Sequence, residues 1–286
     1  MDWDIIQFLA PAIAASLIIA GIHAYLGLHV VERGVIFVDL SLAQIAALGA
    51  TLALLVPAFG GDPHSPSVYW MSLGFTFIGA AIFSLIKGHK ARVPQEAIIG
   101  ISYAVASAAV IVAMSQSTGE SEHLKDMLVG NILSVSWNEV LKTAGIYVVI
   151  GAFHFIFRKR FLLISLDPAA AEASGVSVRF WDFLFYASFG VVVTRSVAIA
   201  GVLLVFCYLI VPSVAGMLYS EKIGARLTIG WVMGVVTSML GMYFSVIWDL
   251  PTGATIVCTF GAALILMAGA RPLFKIANPV HPSERT

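Results

Sequence analysis

A carboxylate stands inside an apolar run in the stretch Gly34-Val-Ile-Phe-Val-Asp39-Leu-Ser41-Leu-Ala-Gln44. Placing a charged carboxyl group in hydrocarbon costs about 2.5–3.5 kcal/mol on insertion scales, so such a side chain usually faces a bundle interior or a water-filled cavity. Asp39 is therefore a candidate for a cation path, with Gln44 as a neutral oxygen donor nearby. A buried carboxylate satisfied by a neighbouring serine or a backbone group is the alternative. The two residues are five apart, about 140° around a regular helix, so they do not easily share one ion. An amide oxygen substitutes poorly for imidazole with zinc and is acceptable to harder ions.

The other polar residues in apolar surroundings point first to structure. Glu96 follows Pro94 at the start of an apolar run, where an acidic first-turn residue is an ordinary helix beginning. His23 and His154 lie near the ends of apolar runs and read as packing residues, and Met127 reads as core. The two cysteines, Cys207 and Cys258, read as small buried hydrophobes; a disulfide framework or a zinc cluster needs a different pattern. The segment Asp167-Pro168-Ala-Ala-Ala171-Glu172-Ala-Ser-Gly175 is different in kind. Asp167 suits an N-cap, Pro168 a first helical position and Gly175 a helix end. Residues 167–176 are thus expected to form a short alanine-rich helix that docks into a groove on a partner, with a simple connector as the alternative. The phosphate-cradling pattern G-x-x-x-x-G-K-[ST] is absent, as are H-E-x-x-H and G-x-S-x-G. The chain is therefore not expected to bind ATP through a P-loop, and no catalytic set presents itself.

The elements that must hold these residues are membrane helices. Hydrophobic residues make up 59% of 286 positions and charged residues 11%, against roughly 45–50% and about 25% in soluble domains. Apolar runs fall at 5–28, 34–57, 68–86, 97–114, 140–157, 180–194, 197–219, 227–247 and 252–270. Backbone groups in hydrocarbon must be satisfied within a segment and no barrel-like alternation occurs, so the runs are read as helices. The expected fold is an all-α, polytopic bundle forming a single transmembrane domain over 1–286. Two runs meet at Thr194-Arg195-Ser196, which leaves eight or nine spans. Of the 16 Lys and Arg residues, 13 fall in one alternating set of loops and Lys125, Lys142 and Arg195 in the other. That asymmetry favours nine spans in an inner membrane, the amino terminus outside and the carboxyl terminus cytoplasmic. The run after Met1-Asp2-Trp3-Asp4 lacks a basic leader and reads as a retained span. A net charge of zero gives no indication of a nucleic-acid partner. Gly230-x-x-x-Gly234 would allow close helix packing.

Across nearly its whole length the chain resembles the metal-uptake permeases of the ABC transporter superfamily, the zinc, manganese and iron group. The resemblance is carried by D-x-x-x-A-x-x-x-G at Asp167, Ala171 and Gly175, and by Gly201-Val-Leu-Leu-Val205 followed by Leu209-Ile-Val-Pro212. Ser245-x-x-x-Asp249-Leu-Pro251-Thr252-Gly253 continues it, with Gly100 and the stretch Gly130–Ser136 as further landmarks. The resemblance implies an ATP-driven importer of a divalent transition metal built on two permease copies. Two cytoplasmic ATPase subunits would bind ATP-Mg, and a periplasmic or lipid-anchored metal-binding protein would deliver the cargo. The helix at 167–176 would be the coupling helix to the ATPase, and this chain would carry no cofactor of its own. One departure stands out: anchored on Gly49, the family's second-span D-x-x-x-H falls on Leu40 and Gln44, with Asp39 one residue early. Which metal travels is therefore left open. A permease of the same architecture for a chelated metal or small organic solute remains an alternative, as does an ion-coupled secondary transporter using Asp39 as a relay.

Overall fold

The structure is a computed structural model that describes residues 3–56, 65–86, 93–115 and 132–277, with 3–6 and 272–277 described as backbone only. The chain is helical throughout the described residues: α1 Trp3–Glu32, α2 Val38–Leu55, α3 Pro66–Ile86, α4 Gln95–Met114, a single 3₁₀ turn Ile132–Ser134, α5 Trp137–Ile156, α6 Arg158–Leu166, α7 Pro168–Ala173, α8 Val178–Ala200, α9 Val202–Tyr219, α10 Ile223–Trp248 and α11 Thr252–Ala277. Nine of these are long and apolar enough to cross a membrane, which makes this a multi-pass membrane protein. Gly130, one of the sequence landmarks, lies outside the described residues.

The expected boundary at Thr194-Arg195-Ser196 is not where the chain breaks. α8 runs through Arg195 to Ala200, and the break is at Gly201, whose φ of 77° is accessible to glycine at little strain. The physical reason is that Arg195 keeps its helical backbone and satisfies its side chain sideways, with Nε donating to Thr143 Oγ1 at 3.0 Å. The motif Ser245-x-x-x-Asp249-Leu-Pro-Thr-Gly is the hairpin between α10 and α11. Asp249 adopts φ 50° as the left-handed cap, Leu250 N–H returns to the Ser245 carbonyl at 3.0 Å, and Ser245 Oγ donates to the Leu250 carbonyl at 2.7 Å. Aspartate is one of the few side chains that tolerate that conformation.

The spans pack in two groups. α2, α3, α4 and α8 surround one another, and α1, α9, α10 and α11 form the second set, with α2 and α8 touching α9 across the junction. Backbones approach closely in the second set. A Cβ at Gly27 would lie 1.9 Å from the Leu209 carbonyl oxygen, and one at Gly230 2.9 Å from that of Pro212. The pair Gly230 and Gly234 thus seats α10 on Pro212 of α9 within the same chain, the local packing role of small-xxx-small spacing. Cys207 is half-buried, but Cys258 is exposed on α11, contrary to the expectation that both are buried. The structure turns that face of α11 outward.

Candidate functional site

Asp39 sits in the first turn of α2, because the helix begins at Val38 and not at Gly34. α1 ends at Gly34 in a Schellman motif: Val35 N–H bonds the Val30 carbonyl at 3.2 Å and Gly34 N–H the Val31 carbonyl at 3.1 Å, with Gly34 at φ 67°. That turn consumes the start of the apolar run and leaves α2 only 18 residues long. The carboxylate therefore lies at a helix amino terminus, where the macrodipole favours a negative charge. It is 2% exposed, and its Oδ1 has no hydrogen-bond partner. The serine of the alternative reading, Ser41, is itself buried with its Oγ unpartnered.

Glu96, in the first turn of α4, comes to the same place. Its Oε1 accepts the Phe37 N–H at 3.0 Å, and its Oε2 is buried without a partner. Glu96 is thus more than a helix-start residue; it ties α4 to the residue before α2. The Phe37 ring stacks on Phe206 of α9, and both Glu96 and Cys207 lie within electrostatic range of Asp39. Two carboxylates, each with one unpartnered buried oxygen, therefore lie within electrostatic range of each other near the junction of the two helix groups. Gln44 is also buried, at 5% exposure, but five residues on from Asp39 it projects from a different side of α2. Among the described residues no three His, Cys, Asp or Glu side chains converge as a metal cage.

The face of α2 that carries Asp39 continues through Ala43, Ala46 and Ala50, the i, i+4, i+7 and i+11 row. These alanines line a cavity of about 360 Å³ between α2, α3, α5 and α8, whose polar walls include Ser65, Tyr69, Ser72, Glu139, Thr194 and Arg195. Their missing bulk is what leaves the space. Glu139 is fixed there by a capping box: its Oε2 accepts from Ser136 N at 3.0 Å and Ser136 Oγ accepts from Glu139 N at 3.3 Å. By helical rise, Asp39 and Ala50 are about 16 Å apart, so the row spans much of the bundle.

A second polar cluster surrounds Arg33, the residue after α1. Sequence placed Arg33 among the cytoplasmic loop charges; instead its side chain is 1% exposed and ion-paired to the fully buried Asp182 of α8. Its Nε donates to Ser165 Oγ at 2.8 Å, and the same hydroxyl meets His29 Nδ1 at 2.8 Å. The guanidinium also lies 4.0 Å from the centroid of the Phe185 ring. Burial follows from the charges having each other: a long arginine at the end of α1 can reach back into the bundle only because Asp182 waits there. Asp182, two residues into the apolar run at 180–194, was the one signal that could have revealed this. His154 bonds Ser188 Oγ at 2.8 Å and stacks on Phe161, and His23 bonds the Ile19 carbonyl at 2.9 Å, so both act as packing residues.

The segment expected as a docking helix forms α7. Asp167 caps it by accepting from Ala170 N at 2.9 Å, Pro168 opens it, and Gly175 at φ 78° closes it in a second Schellman motif, with Val176 N–H on the Ala171 carbonyl at 3.1 Å. Ala171 does not face outward. It is fully buried against the chain's own core, which explains a small residue there, while Ala169, Ala170, Glu172 and Ala173 are exposed. A further helix outside the apolar runs, α6, joins α5 to α7 and carries Ser165, so α7 hangs from the Arg33 cluster.

Comparison with known proteins gives a consistent picture. The profile of the ABC 3 transport family matches residues 5–270. The manganese transport system membrane protein MntC of Halalkalibacterium halodurans is 26% identical over 258 residues, covering 88% of this chain and 83% of that protein. A probable iron transport system membrane protein of Haemophilus influenzae is 24% identical over 260 residues, covering 91% and 92%. Among solved structures, PsaBC from Streptococcus pneumoniae in complex with Fab superposes with a TM-score of 0.78 at 22% identity, covering 96% of this chain and 98% of that one.

Proposed function

Since the chain belongs to the ABC 3 transport family, we propose that it is the membrane-spanning subunit of an ATP-driven importer for a divalent transition metal, with manganese the first candidate. Two copies pair in the membrane, cytoplasmic ATPase subunits supply the energy, and a metal-binding protein outside delivers the cargo. The observation that carries the reading is the unsatisfied carboxylate oxygen of Asp39 at the end of a small-residue row that leads from a cavity. A passing cation would complete that oxygen's coordination and that of Glu96 beside it. Oxygen donors without imidazole favour a hard ion such as manganese over zinc, and the manganese names among the relatives support the same choice.

The matching test is metal uptake by cells carrying Asp39→Asn, which keeps shape and removes charge. Uptake should fall by about tenfold or more, the scale of losing one charge-assisted contact, while the amount of assembled protein in the membrane stays the same. Uptake equal to that of the unmodified chain would remove the path through Asp39. The exposed face of α7 is the surface offered to the ATPase. Ala170→Asp, on that face, should abolish ATPase co-purification and leave membrane insertion intact; co-purification at the normal level would move the docking site elsewhere. Ala171 is the wrong residue for this test, because a charge there would enter the core.

A further inference from the structure

A groove of about 610 Å³ runs down the side of the bundle where α1, α5 and α10 meet, away from the Asp39 row. Its wall is largely apolar, with Ile18 and Ile22 of α1, Val148 and Phe155 of α5 and Leu227 of α10. The polar atoms of two lining aromatic residues turn inward: Tyr147 Oη donates to the Val192 carbonyl, and His154 Nε2 meets Ser188 Oγ. Gly151 helps to make the space, since a Cβ there would meet nothing within 4 Å. Val148 is 68% exposed and Phe155 66%, and on a chain that crosses a membrane such a face meets hydrocarbon. From Ala144 to Phe155 the α5 wall extends about 16 Å by helical rise, close to one leaflet's share of a hydrocarbon core about 30 Å thick.

The mouth of the groove is basic. Arg158 opens α6 just past the end of α5, and its guanidinium lies 4.2 Å from the centroid of the Phe155 ring. No carboxylate among the described residues lies within ion-pair distance of Arg158. Lys159 is exposed beside it, and so is Lys222, which precedes the lining residue Ile223. Of the acidic residues at this end, Glu32 is held by Arg226 and Glu221 is exposed.

We infer that this groove is a binding site for an acidic phospholipid of the leaflet on the α7 side of the membrane. One acyl chain lies along α5 between α1 and α10, and Arg158 holds the phosphate, with Lys222 adding charge from the α10 side. Arginine meets phosphate oxygens with two parallel hydrogen bonds, and basic pockets between membrane helices bind acidic head groups. A zwitterionic lipid offers the same chain, but its own cationic group is repelled by the basic mouth. A second copy of the chain would cover the apolar wall and leave Arg158 and Lys222 without a counter-charge. Free phosphate would do the opposite. The site stands apart from the metal path and does not rest on the import reading.

The test is native mass spectrometry of the full-length chain in detergent, titrated with phosphatidylglycerol, phosphatidylcholine of the same acyl chains, and inorganic phosphate. The unmodified chain should prefer phosphatidylglycerol by about fivefold or more, the scale of one basic side chain at an anionic lipid surface. Arg158→Gln should remove that preference and keep the remaining chain binding, and Arg158→Lys should retain part of it. Gly151→Leu puts a side chain into the groove and should weaken both lipids alike, with Gly151→Val as the milder probe where the leucine variant assembles poorly. Gly145→Leu is the control: it lies on the same helix, lines the neighbouring hollow between α3, α5 and α8, and should change neither lipid. Equal binding of the two lipids, or an undiminished preference in Arg158→Gln, overturns the head-group contact. Lipid binding unchanged in both Gly151 variants overturns the groove. Inorganic phosphate displacing the lipid at equal concentration reduces the site to anion capture and overturns the lipid. Loss of a lipid-free dimer in Gly151→Leu gives the groove to a second copy and overturns it as well.

Discussion

Arg33 and Asp39 are six residues apart, both buried and both charged in type, yet their surroundings are opposite. Arg33 has an opposite charge beside it: its ion pair with Asp182, its bond to Ser165 and the Phe185 ring hold it from several helices at once, with only its Nη2 left without a hydrogen-bond partner. Asp39 and its neighbour Glu96 each keep a buried oxygen with no partner. An ion-paired buried charge stabilises one arrangement of helices, because removing either partner strands the other in a low-dielectric interior. A buried carboxylate with no ion pair among the described residues, such as Asp39, has no such partner to strand. The Schellman turn at Gly34 separates the two, so a single turn of chain connects the clamp to the open site.

The contrast can be broken in order of effect. Arg33→Ala should be the most damaging, lowering stability by about 3–5 kcal/mol in unfolding measured on the purified chain; a loss below about 1 kcal/mol would mean that the pair is dispensable. Joint replacement Arg33→Met with Asp182→Leu should recover a large part of that loss, since two apolar groups leave no stranded charge. Gly27→Ala, whose methyl would collide with the Leu209 carbonyl under the clamp, should cost about 1–3 kcal/mol by overpacking. Asp39→Asn should change unfolding by no more than about 0.5 kcal/mol while reducing uptake, the opposite profile to Arg33. Gln44→Ala should be the mildest for transport, since its amide carries no charge and lies off the cavity row. An Asp39→Asn variant as unstable as Arg33→Ala would erase the distinction.

The membrane class, the helical fold and the positions of all nine spans were legible from apolar runs, with one boundary displaced, because lipid demands about 20 continuous apolar residues and admits no exposed backbone. Local chemistry was legible where one residue type is required by one backbone state. Asp167, Pro168 and Gly175 as cap, first turn and closing turn of α7 are of this kind. The boundary at Arg195 was misplaced because charge was taken for a loop signal, whereas a guanidinium beside Thr143 can stay in a helix. Arg33 was misread for the same reason.

Sequence by itself determined that this chain crosses a membrane repeatedly, where the short helix α7 begins and ends, and which family motifs it carries. These follow from hydropathy over a span and from φ, ψ and capping preferences, which act between residues close in the chain. Only the tertiary structure decided that Arg33 pairs with Asp182, that Ala171 faces inward, that Glu96 meets Asp39, and that Arg195 and Glu139 line one cavity. Those pairings join residues from 56 to 149 positions apart. They depend on which helix faces pack together, and packing is set by close approaches such as Gly27 on Leu209 that no single run of sequence contains.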